Sequence, residues 1–362
     1  MYSPLRHITS LFSKREPIQL SFFLTRRCNA RCPYCFYLES NDRDQCKSEE
    51  LSLQEIQRIS RSMGKLLWLA FSGGEIYLRR DLVDISRQFY HQNKPVIMLY
   101  PTNGLMPDLI RRQTEQILTH CPNSVIAVKL SIDELGEAHD HLRNTPRSFE
   151  KTLQTYRLLA PLLERFPNFE LGVNTVFCSH NQHNIDAIID FVGGLEYVHT
   201  HTISMVRGDL KQNQYKRVDY TKYAHAVERI ASNTKQHKTG IYRFKGAKLK
   251  AAQDVLQHRL IYRTLTEQQR QIPCYAGRAN LVLSESGEVY PCEMLSSSFG
   301  NVRDHGYDMR RVTQTEQARR SIASIKAKQC FCSHECYFMT NILLNPGLYP
   351  ALAKPYLAQF TR

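Results

Sequence analysis

Three closely spaced cysteines, Cys28, Cys32 and Cys35, form the pattern in this sequence that is most specific for chemistry. They follow a C-x3-C-x2-C spacing on one short segment, and soft thiolate ligands suit iron–sulfur clusters and zinc. Three thiolates leave a fourth metal position open, whereas structural metal sites close all four. The segment therefore predicts a working metal site. It is either three corners of an iron–sulfur cube or a zinc knuckle that borrows a ligand from elsewhere in the chain.

A second set of cysteines, here called the C-terminal cysteine group, lies in the last third of the chain. Its members are Cys274, Cys292, Cys330, Cys332 and Cys336. Thiolates from separated pairs can close a tetrahedral zinc site or hold a four-cysteine cluster, and the residues alone leave both open. His334 lies within the group, and we interpret it as an exposed loop histidine rather than a ligand.

The composition limits the class of protein. The chain has 362 residues, of which 42% are apolar, enough for one large core or two modest ones. We find no apolar run of membrane-spanning length and no signal-peptide core, and therefore expect a cytoplasmic protein with reduced thiols. In that setting, 11 cysteines indicate metal rather than disulfides, although Cys46, Cys121 and Cys178 fit no metal spacing and are predicted to be ordinary thiols.

The net charge of +14 is distributed through the chain. A basic balance is compatible with nucleic acid, an anionic membrane surface or an acidic substrate. The sequence has no basic motif interleaved with aromatic residues of the kind that nucleic-acid modules carry. We therefore interpret the charge as a solvated basic surface and expect no nucleic-acid partner.

Strand and helix patterns alternate between residues 18 and 210. Residues 18–25 alternate apolar and polar side chains, and residues 66–71 form a continuous apolar run, as a parallel strand covered on both faces does. A capping box at Ser52-Leu-Gln-Glu55 predicts the start of the first long helix. About six such units predict an α/β fold, a partial (β/α)6 TIM-like barrel followed by a small C-terminal domain of a β-hairpin and helix.

Polar residues stand in or just after several of the predicted strands. They are Gly73-Gly74-Glu75, Thr102-Asn103, Ser131, Asp133 and Asn174. Each has an ordinary explanation when taken alone, because Gly-Gly and Asn-Gly form turns and Ser or Asp caps helices. The carboxyl ends of parallel strands meet at one end of a barrel, so we expect these residues and the cysteine segment to form one site there.

This pattern divides the chain into five segments. They are an N-terminal lead-in (1–17), the partial barrel (18–210), a helical connecting segment (211–270), a C-terminal cysteine domain (271–345) and a C-terminal tail (346–362). The connecting segment carries Lys245, Lys248 and Lys250, which could contact substrate. A solvated helix face is the favoured interpretation of these lysines.

The cysteine segment with Tyr34 before Cys35, the Gly73-Gly74-Glu75 motif, and the run from Ser131 through His139-Asp140 to Arg143 resemble the radical S-adenosylmethionine (radical SAM) enzymes. The C-terminal part, with Cys274, Gly287-x4-Cys292 and a late C-x3-C, is similar to the SPASM or twitch extension of that family. The resemblance implies a [4Fe–4S] cluster held by the first three cysteines, S-adenosylmethionine as cofactor, and an external one-electron reductant of the flavodoxin or ferredoxin type.

The resemblance also implies roles for single residues. Gly73, Gly74 and Glu75 would receive the methionyl amino group, Glu75 by its charge. Ser131 and Arg143 would contact the methionyl carboxylate or the ribose, and a cation beside a carboxylate is physically reasonable. The remaining contacts implied are the backbone of Tyr34 near the adenine and Asn103 or Asn174 at the ribose.

The chain departs from a full SPASM extension, which carries seven cysteines and two auxiliary clusters, because only five cysteines are present here. The resemblance therefore implies one auxiliary [4Fe–4S] cluster, held by Cys274, Cys292 and Cys336 with either Cys332 or Cys330. With four protein ligands such a cluster transfers electrons or stabilises the fold, whereas an open iron would bind substrate.

The leading hypothesis is an enzyme that cleaves S-adenosylmethionine reductively to a 5′-deoxyadenosyl radical, which abstracts hydrogen from a substrate. The substrate is a small molecule (a sugar, an alcohol or a carrier-linked molecule) or a peptide. About 17 residues precede the first strand, so we expect no separate peptide-recognition domain, which favours a small substrate. A peptide- or protein-modifying maturase of the same superfamily is the alternative. A zinc-stabilised, non-catalytic nucleic-acid scaffold is the rival from another class, but it leaves Gly-Gly-Glu unexplained.

Overall fold

A nine-stranded sheet, curved into a partial barrel, organises the chain. The computed structural model describes residues 1–14, 16–37, 50–236, 242–244 and 246–357. The strands are β1 (Gln19–Thr25), β2 (Trp68–Gly73), β3 (Ile97–Thr102), β4 (Val125–Ser131), β5 (Phe169–Phe177), β6 (Thr200–Met205), β7 (Asn280–Leu283), β8 (Glu288–Tyr290) and β9 (Gly300–Asn301). Their order in the sheet is β6-β5-β4-β3-β2-β1-β7-β8-β9.

Strands β1 to β6 are parallel to their neighbours, and helices connect them along the outside of the sheet. The helices are α1 (Leu53–Ser62), α2 (Leu82–Gln92), α3 (Pro107–His120), α4 (Gly136–Leu142), α5 (Ser148–Leu159), α6 (Leu162–Arg165), α7 (Ile185–Gly193), α8 (Tyr220–Lys235), α9 (Ala247–Glu267), α10 (Met309–Val312), α11 (Glu316–Lys326), α12 (Glu335–Leu343) and α13 (Tyr349–Leu357). This architecture confirms the predicted α/β partial (β/α)6 barrel.

Local sequence signals explain where the elements begin. The capping box at the start of α1 forms as predicted, with the Ser52 side chain accepting from the backbone N–H of Glu55 and the Glu55 carboxylate accepting from that of Ser52. Strand β1 is buried along its whole length, because β2 and β7 flank it and helices cover its outer face. Pro161 separates α5 from α6, and residues 313–315 separate α10 from α11.

Three helices were missed by the pattern analysis: α4, α12 and α13. Helix α4 is only 7 residues long, too short for a clear apolar period. Seven of the nine residues of α12 are buried, so its sequence has no polar face. Helix α13 lies in the predicted tail and packs against α9. Helices α8, α12 and α13 all pack on α9, and this group covers the open side of the barrel.

The C-terminal segment joins the barrel directly through its first strand. Strand β7 pairs in parallel with β1, from Gln19 opposite Asn280 to Phe22 opposite Leu283. Strand β8 then returns antiparallel to complete the predicted hairpin. The sheet is therefore continuous across residue 270, and the five-segment division of the chain remains a prediction. No helix among the described residues is long and apolar enough to cross a membrane.

Candidate active site

The cysteine segment begins where β1 ends and is held closely against the end of β2. The backbone N–H of Gly74 donates to the carbonyl of Thr25 over 2.7 Å, and that of Glu75 donates to the carbonyl of Arg27 over 2.9 Å. A Cβ atom on Gly74 would collide with the carbonyl of Arg27, so only glycine permits this approach. Gly74 therefore fixes the position of the cysteine segment relative to the sheet.

Glu75 is a buried carboxylate that connects the ends of β2 and β3. Its oxygens accept from the Thr102 hydroxyl over 2.9 Å and from the backbone N–H of Asn103 over 2.8 Å. Among the described residues it forms no ion pair, and burial raises its pKa to about 7 despite these hydrogen bonds. A buried carboxyl group that lines a cavity without a cationic partner fits a cationic ligand, such as the amino group of S-adenosylmethionine.

Arg143 brings together the cysteine segment and the end of β4. Its Nε donates to Sγ of Cys32 over 3.4 Å and lies 3.6 Å from the carboxylate of Asp133, while its Nη1 donates to the carbonyl of Ser131 over 3.2 Å. The phenol of Tyr34 donates to the same Asp133 carboxylate over 2.5 Å. The predicted site residues Tyr34, Ser131 and Arg143 thus lie in one hydrogen-bonded group, with Asp133 at its centre.

The two predicted asparagine contacts lie on the same surface. The Asn103 amide donates to the side chain of Asn29 over 2.8 Å and lies 3.8 Å from Sγ of Cys28, beside the cysteine segment. The Asn174 carbonyl oxygen accepts from the hydroxyl of Ser204 on β6 over 2.8 Å. Asn103 therefore contacts the cysteine segment, whereas Asn174 lies on β5, away from that segment.

All eleven residues predicted around the first cluster line one cavity of about 780 Å³, here called the main cavity. They are Cys28, Cys32, Tyr34, Cys35, Gly73, Gly74, Glu75, Asn103, Ser131, Arg143 and Asn174. The cavity begins at the cysteine segment, follows the inner face of the barrel and is closed on one side by α8 and α9. Its volume lies in the range of small-molecule and cofactor sites.

A buried charged network in the same cavity was not found from the sequence. Arg207, just after β6, pairs with Glu293 and with Glu335, each over 3.4 Å. Nε2 of His334 lies 2.6 Å from the Glu293 carboxylate. Burial acts to raise the pKa of Glu293, but His334 and Arg207 hold it at about 2. The carboxylate therefore stays ionised inside the cavity.

This network connects the two cysteine regions. Glu293 follows Cys292 in the chain, Glu335 precedes Cys336, and the Arg207 guanidinium lies 5.2 Å from the ring centre of Phe36, next to Cys35. The interpretation of His334 as an exposed loop residue was wrong, because its side chain is 1% exposed and accepts from the backbone N–H of Cys336 at the start of α12. The glutamates next to Cys292 and Cys336 were the available signal for this network.

The C-terminal cysteine group gathers beneath the β7–β8 hairpin. Cys274, Cys292, Cys330 and Cys336 pack against one apolar cluster that contains Phe23, Ile325 and Tyr337. Burial raises the pKa of Cys292 and of Cys332, and nearby thiols add to both shifts: Cys332 and Cys274 act on Cys292, and Cys274 and Cys330 act on Cys332. The Cys330 sulfur differs, because it accepts from the guanidinium of Arg270 over 3.0 Å.

The remaining cysteines behave as ordinary apolar side chains where they are described. Cys121 and Cys178 are fully buried in the two large hydrophobic cores, whereas Cys46 lies outside the described residues. No three His, Cys, Asp or Glu side chains in the described part converge as ligands of a single metal ion do. Thiolates that cap different irons of a cube point at separate atoms, so the first three cysteines fit a cluster without converging.

Comparison with known proteins agrees with this geometry. The family model described as the Radical SAM superfamily matches residues 22–192, from β1 to the end of α7. The AdoMet-dependent heme synthase of Methanosarcina barkeri is 24% identical over 339 residues, with 88% of this chain and 89% of that protein covered. The subtilosin biosynthesis protein AlbA of Bacillus subtilis is 25% identical over 316 residues, with 84% of this chain and 62% of that protein covered.

Solved structures share the fold well beyond the barrel. Streptococcus suis SuiB bound to S-adenosylmethionine superposes with a TM-score of 0.61 at 15% identity, covering 88% of this chain and 71% of that one. The enzyme anSMEcpe with bound AdoMet gives a TM-score of 0.61 at 16% identity, covering 94% of this chain and 100% of that one. Residues 22–192 of the chain therefore match the radical SAM superfamily, and over most of its length the chain is similar to enzymes of that class.

Proposed function

We propose that this chain binds a [4Fe–4S] cluster through Cys28, Cys32 and Cys35 and binds S-adenosylmethionine at the remaining iron. The observation that carries the proposal is that the three cysteines, the Gly-Gly-Glu motif and Arg143 all line one cavity. The cofactor pair supplies reductive cleavage of the sulfonium to a 5′-deoxyadenosyl radical that abstracts hydrogen from substrate. An external one-electron donor of the flavodoxin or ferredoxin type provides the electron.

The protein contributes position and seclusion. Buried Glu75 offers a negative charge to the amino group of the ligand, and Arg143 offers a guanidinium to its carboxylate. Ser131, Asn103 and Asn174 present polar atoms along the same wall. These assignments extend the family resemblance to the geometry of this chain, and the backbone of Tyr34 completes them at the adenine.

We further propose one auxiliary [4Fe–4S] cluster held by Cys274, Cys292, Cys332 and Cys336. The position of Cys332 beside Cys274 and Cys292 supports its choice over Cys330, whose sulfur accepts from Arg270. Four protein ligands would make this cluster an electron relay or a structural element. The network of Arg207, Glu293 and His334 between the two cysteine regions would then be the charged wall against which substrate lies.

The substrate proposed first is a small molecule enclosed in the main cavity, since α8 and α9 close its side. A peptide substrate is the second candidate, and two relatives support it. SuiB was solved bound to its precursor peptide SuiA, and AlbA is a protein of bacteriocin biosynthesis. The cysteines that would hold the two clusters have to stay reduced, and we propose that the enzyme works in the cytoplasm.

Anaerobic reconstitution followed by reduction with dithionite tests the proposal. We expect about eight irons per chain, as two four-iron clusters require, and formation of 5′-deoxyadenosine from S-adenosylmethionine. Stoichiometric zinc without iron, and no 5′-deoxyadenosine, would instead support the zinc scaffold. A peptide substrate would be indicated if an unrelated small-molecule panel left the rate of 5′-deoxyadenosine formation unchanged while a precursor peptide raised it.

A further inference from the structure

A lysine on the inner face of the barrel lies one layer below the predicted cofactor contacts. Lys129 and Ser131 are two residues apart on β4, so both side chains point to the same face, about 7 Å apart along the strand. The side chain of Lys129 crosses Gly172 on β5 to reach β6. A Cβ atom on Gly172 would lie 2.6 Å from Nζ of Lys129 and 2.5 Å from Oγ1 of Thr200, so the glycine makes room for the lysine.

The ammonium group of Lys129 has hydroxyl partners instead of a carboxylate. Its Nζ donates to Oγ1 of Thr200, to Oγ1 of Thr202 over 3.3 Å and to the carbonyl of Thr200 over 3.5 Å. No carboxylate of the described part of the chain forms an ion pair with it. A buried ammonium without a counter-ion is unfavourable, because hydroxyl dipoles replace its hydration only in part.

The two acidic residues near Lys129, Asp254 and Glu170, form no ion pair with it. The carboxylate of Asp254 pairs with Lys250 and accepts from the phenol of Tyr242 over 3.0 Å. The carboxyl group of Glu170 accepts from the backbone N–H of Arg243, but its Oε2 is buried and has no hydrogen-bond partner. The Glu170 side chain is only 5% exposed. Lys250 faces this cavity as well, so its interpretation as part of a solvated helix face was wrong.

Unpartnered groups here indicate a ligand. Nδ1 of His199 is also buried without a hydrogen bond, 3.8 Å from the Glu170 carboxylate. Burial raises the pKa of Glu170 to about 7, so this group can present an O–H to a ligand at neutral pH. Lys129, Glu170, His199, Thr200 and Lys250 all line the main cavity, and we call this group the Lys129 pocket.

We propose that the Lys129 pocket binds the anionic group, a carboxylate or a phosphate, of a small substrate. The inference rests on the proposed function and narrows its substrate class. The anion would take the place of the missing counter-ion of Lys129, and the Thr200 hydroxyl would help to orient it. The cavity continues from this pocket to the wall formed by Ser131 and Arg143. The anionic end of the substrate would therefore lie at β6, and the rest of the substrate would extend towards Ser131 and Arg143.

Calorimetric titration of the reconstituted full-length enzyme, without S-adenosylmethionine, tests this inference. The probes are inorganic phosphate and succinate, and the tighter of the two identifies the source of the anion. We expect saturable binding to the wild-type enzyme, weakened about tenfold or more in Lys129→Met. Lys151→Met, an exposed position on α5, makes the same change of charge away from the cavity and is expected to bind as the wild type does.

The Lys129→Met variant is expected to fold, because replacing a buried charge with an apolar group of similar length is often neutral or stabilising. Its melting temperature and iron content check this, and Lys129→Gln is the second variant. Absence of saturable anion binding in the wild type, or equal binding in Lys129→Met or Lys129→Gln, would overturn the inference. So would loss of S-adenosylmethionine binding in Lys129→Met, since Lys129 would then belong to the cofactor site.

The test of the proposed function is independent of the test of this inference. Reductive cleavage of S-adenosylmethionine by the wild-type enzyme, measured without substrate, tests the proposed function and involves no Lys129 variant. Anion binding is measured before any cofactor is added. The two results therefore remain independent.

Discussion

Arg143 donates a hydrogen bond from Nε to Sγ of Cys32 over 3.4 Å, although 111 residues separate the two in sequence. The contact joins the end of α4 to the middle cysteine of the first cluster site. The same guanidinium lies 3.6 Å from the Asp133 carboxylate. Its positive charge is therefore held next to the site where we expect the carboxylate of the cofactor.

Arg143→Gln is predicted to weaken binding of S-adenosylmethionine about tenfold, because a charge-assisted hydrogen bond contributes ~1.5–3 kcal/mol. Equilibrium binding to the reconstituted enzyme measures this effect. Arg147→Gln is the matched control, since Arg147 is exposed and forms an ion pair with Glu150 at the start of α5. Unchanged affinity in Arg143→Gln would remove this residue from the cofactor site.

Cys32→Ala is expected to abolish formation of 5′-deoxyadenosine, because a cube held by two thiolates loses its position beside the Gly-Gly-Glu motif. Cys336→Ala should leave the first cluster in place and lower the iron content by about half. Iron analysis and Mössbauer spectra of the two variants measure both effects. Equal loss of iron from both clusters in either variant would argue against separate sites.

Cys332→Ser is expected to remove the auxiliary cluster, whereas Cys330→Ser should retain about eight irons per chain. The physical reason is that Cys332 lies beside Cys274 and Cys292, while the sulfur of Cys330 accepts from Arg270. These two substitutions are each other's control, since they differ by two positions in one loop. The opposite pattern of iron loss would make Cys330 the ligand.

Sulfate binding in the Lys129 pocket is expected to weaken about tenfold between pH 6.5 and pH 9. Burial lowers the pKa of Lys129 to about 8 and raises that of Glu170 to about 7, so rising pH removes a positive charge and adds a negative one. Asp254 and Lys250 also face Lys129 but pair with each other, and burial keeps His199 neutral by lowering its pKa to about 4. Calorimetry at the two pH values measures the change; stronger binding at pH 9 would contradict it.

Glu55→Gln is expected to destabilise the fold by about 1 kcal/mol at pH 7. Glu55 bonds Arg303 over 2.7 Å, and this hydrogen bond lowers its pKa to about 2. A lowered pKa in the folded state gives stability above the unfolded value of 4.5, and this stability is lost as the pH falls towards 2.

Glutamine keeps the capping box of α1, so the Glu55→Gln substitution isolates the ion pair. Urea unfolding at pH 7 and at pH 3 measures the difference in free energy between wild type and variant. Glu316→Gln, in an exposed pair with Arg320, should change the free energy of unfolding by a few tenths of a kcal/mol. An equal cost at both pH values would mean that the ion pair is not the cause.

The barrel and the first cluster site could be predicted because their signals are local. Strand β2 is a short apolar run that ends in Gly-Gly-Glu, and both features are visible within ten residues. The ion pairs of Arg207 could not be predicted, because its partners Glu293 and Glu335 lie 86 and 128 positions further along the chain, beyond the reach of a local pattern. Similarly, Lys129 stands in an apolar strand, and only the opening left by Gly172 reveals what it faces.

Strand β1 lies between β2 and β7, so the strand that carries the first cysteines at its end completes its hydrogen bonds only with residues 280–283. When the ribosome has synthesised only the strands β1 to β6, one edge of β1 still lacks its partner β7. Such a long sequence separation raises the contact order and slows folding. Acquisition of the first cluster is therefore expected to follow chain release rather than accompany synthesis, and truncation before β7 should yield aggregated, iron-free protein.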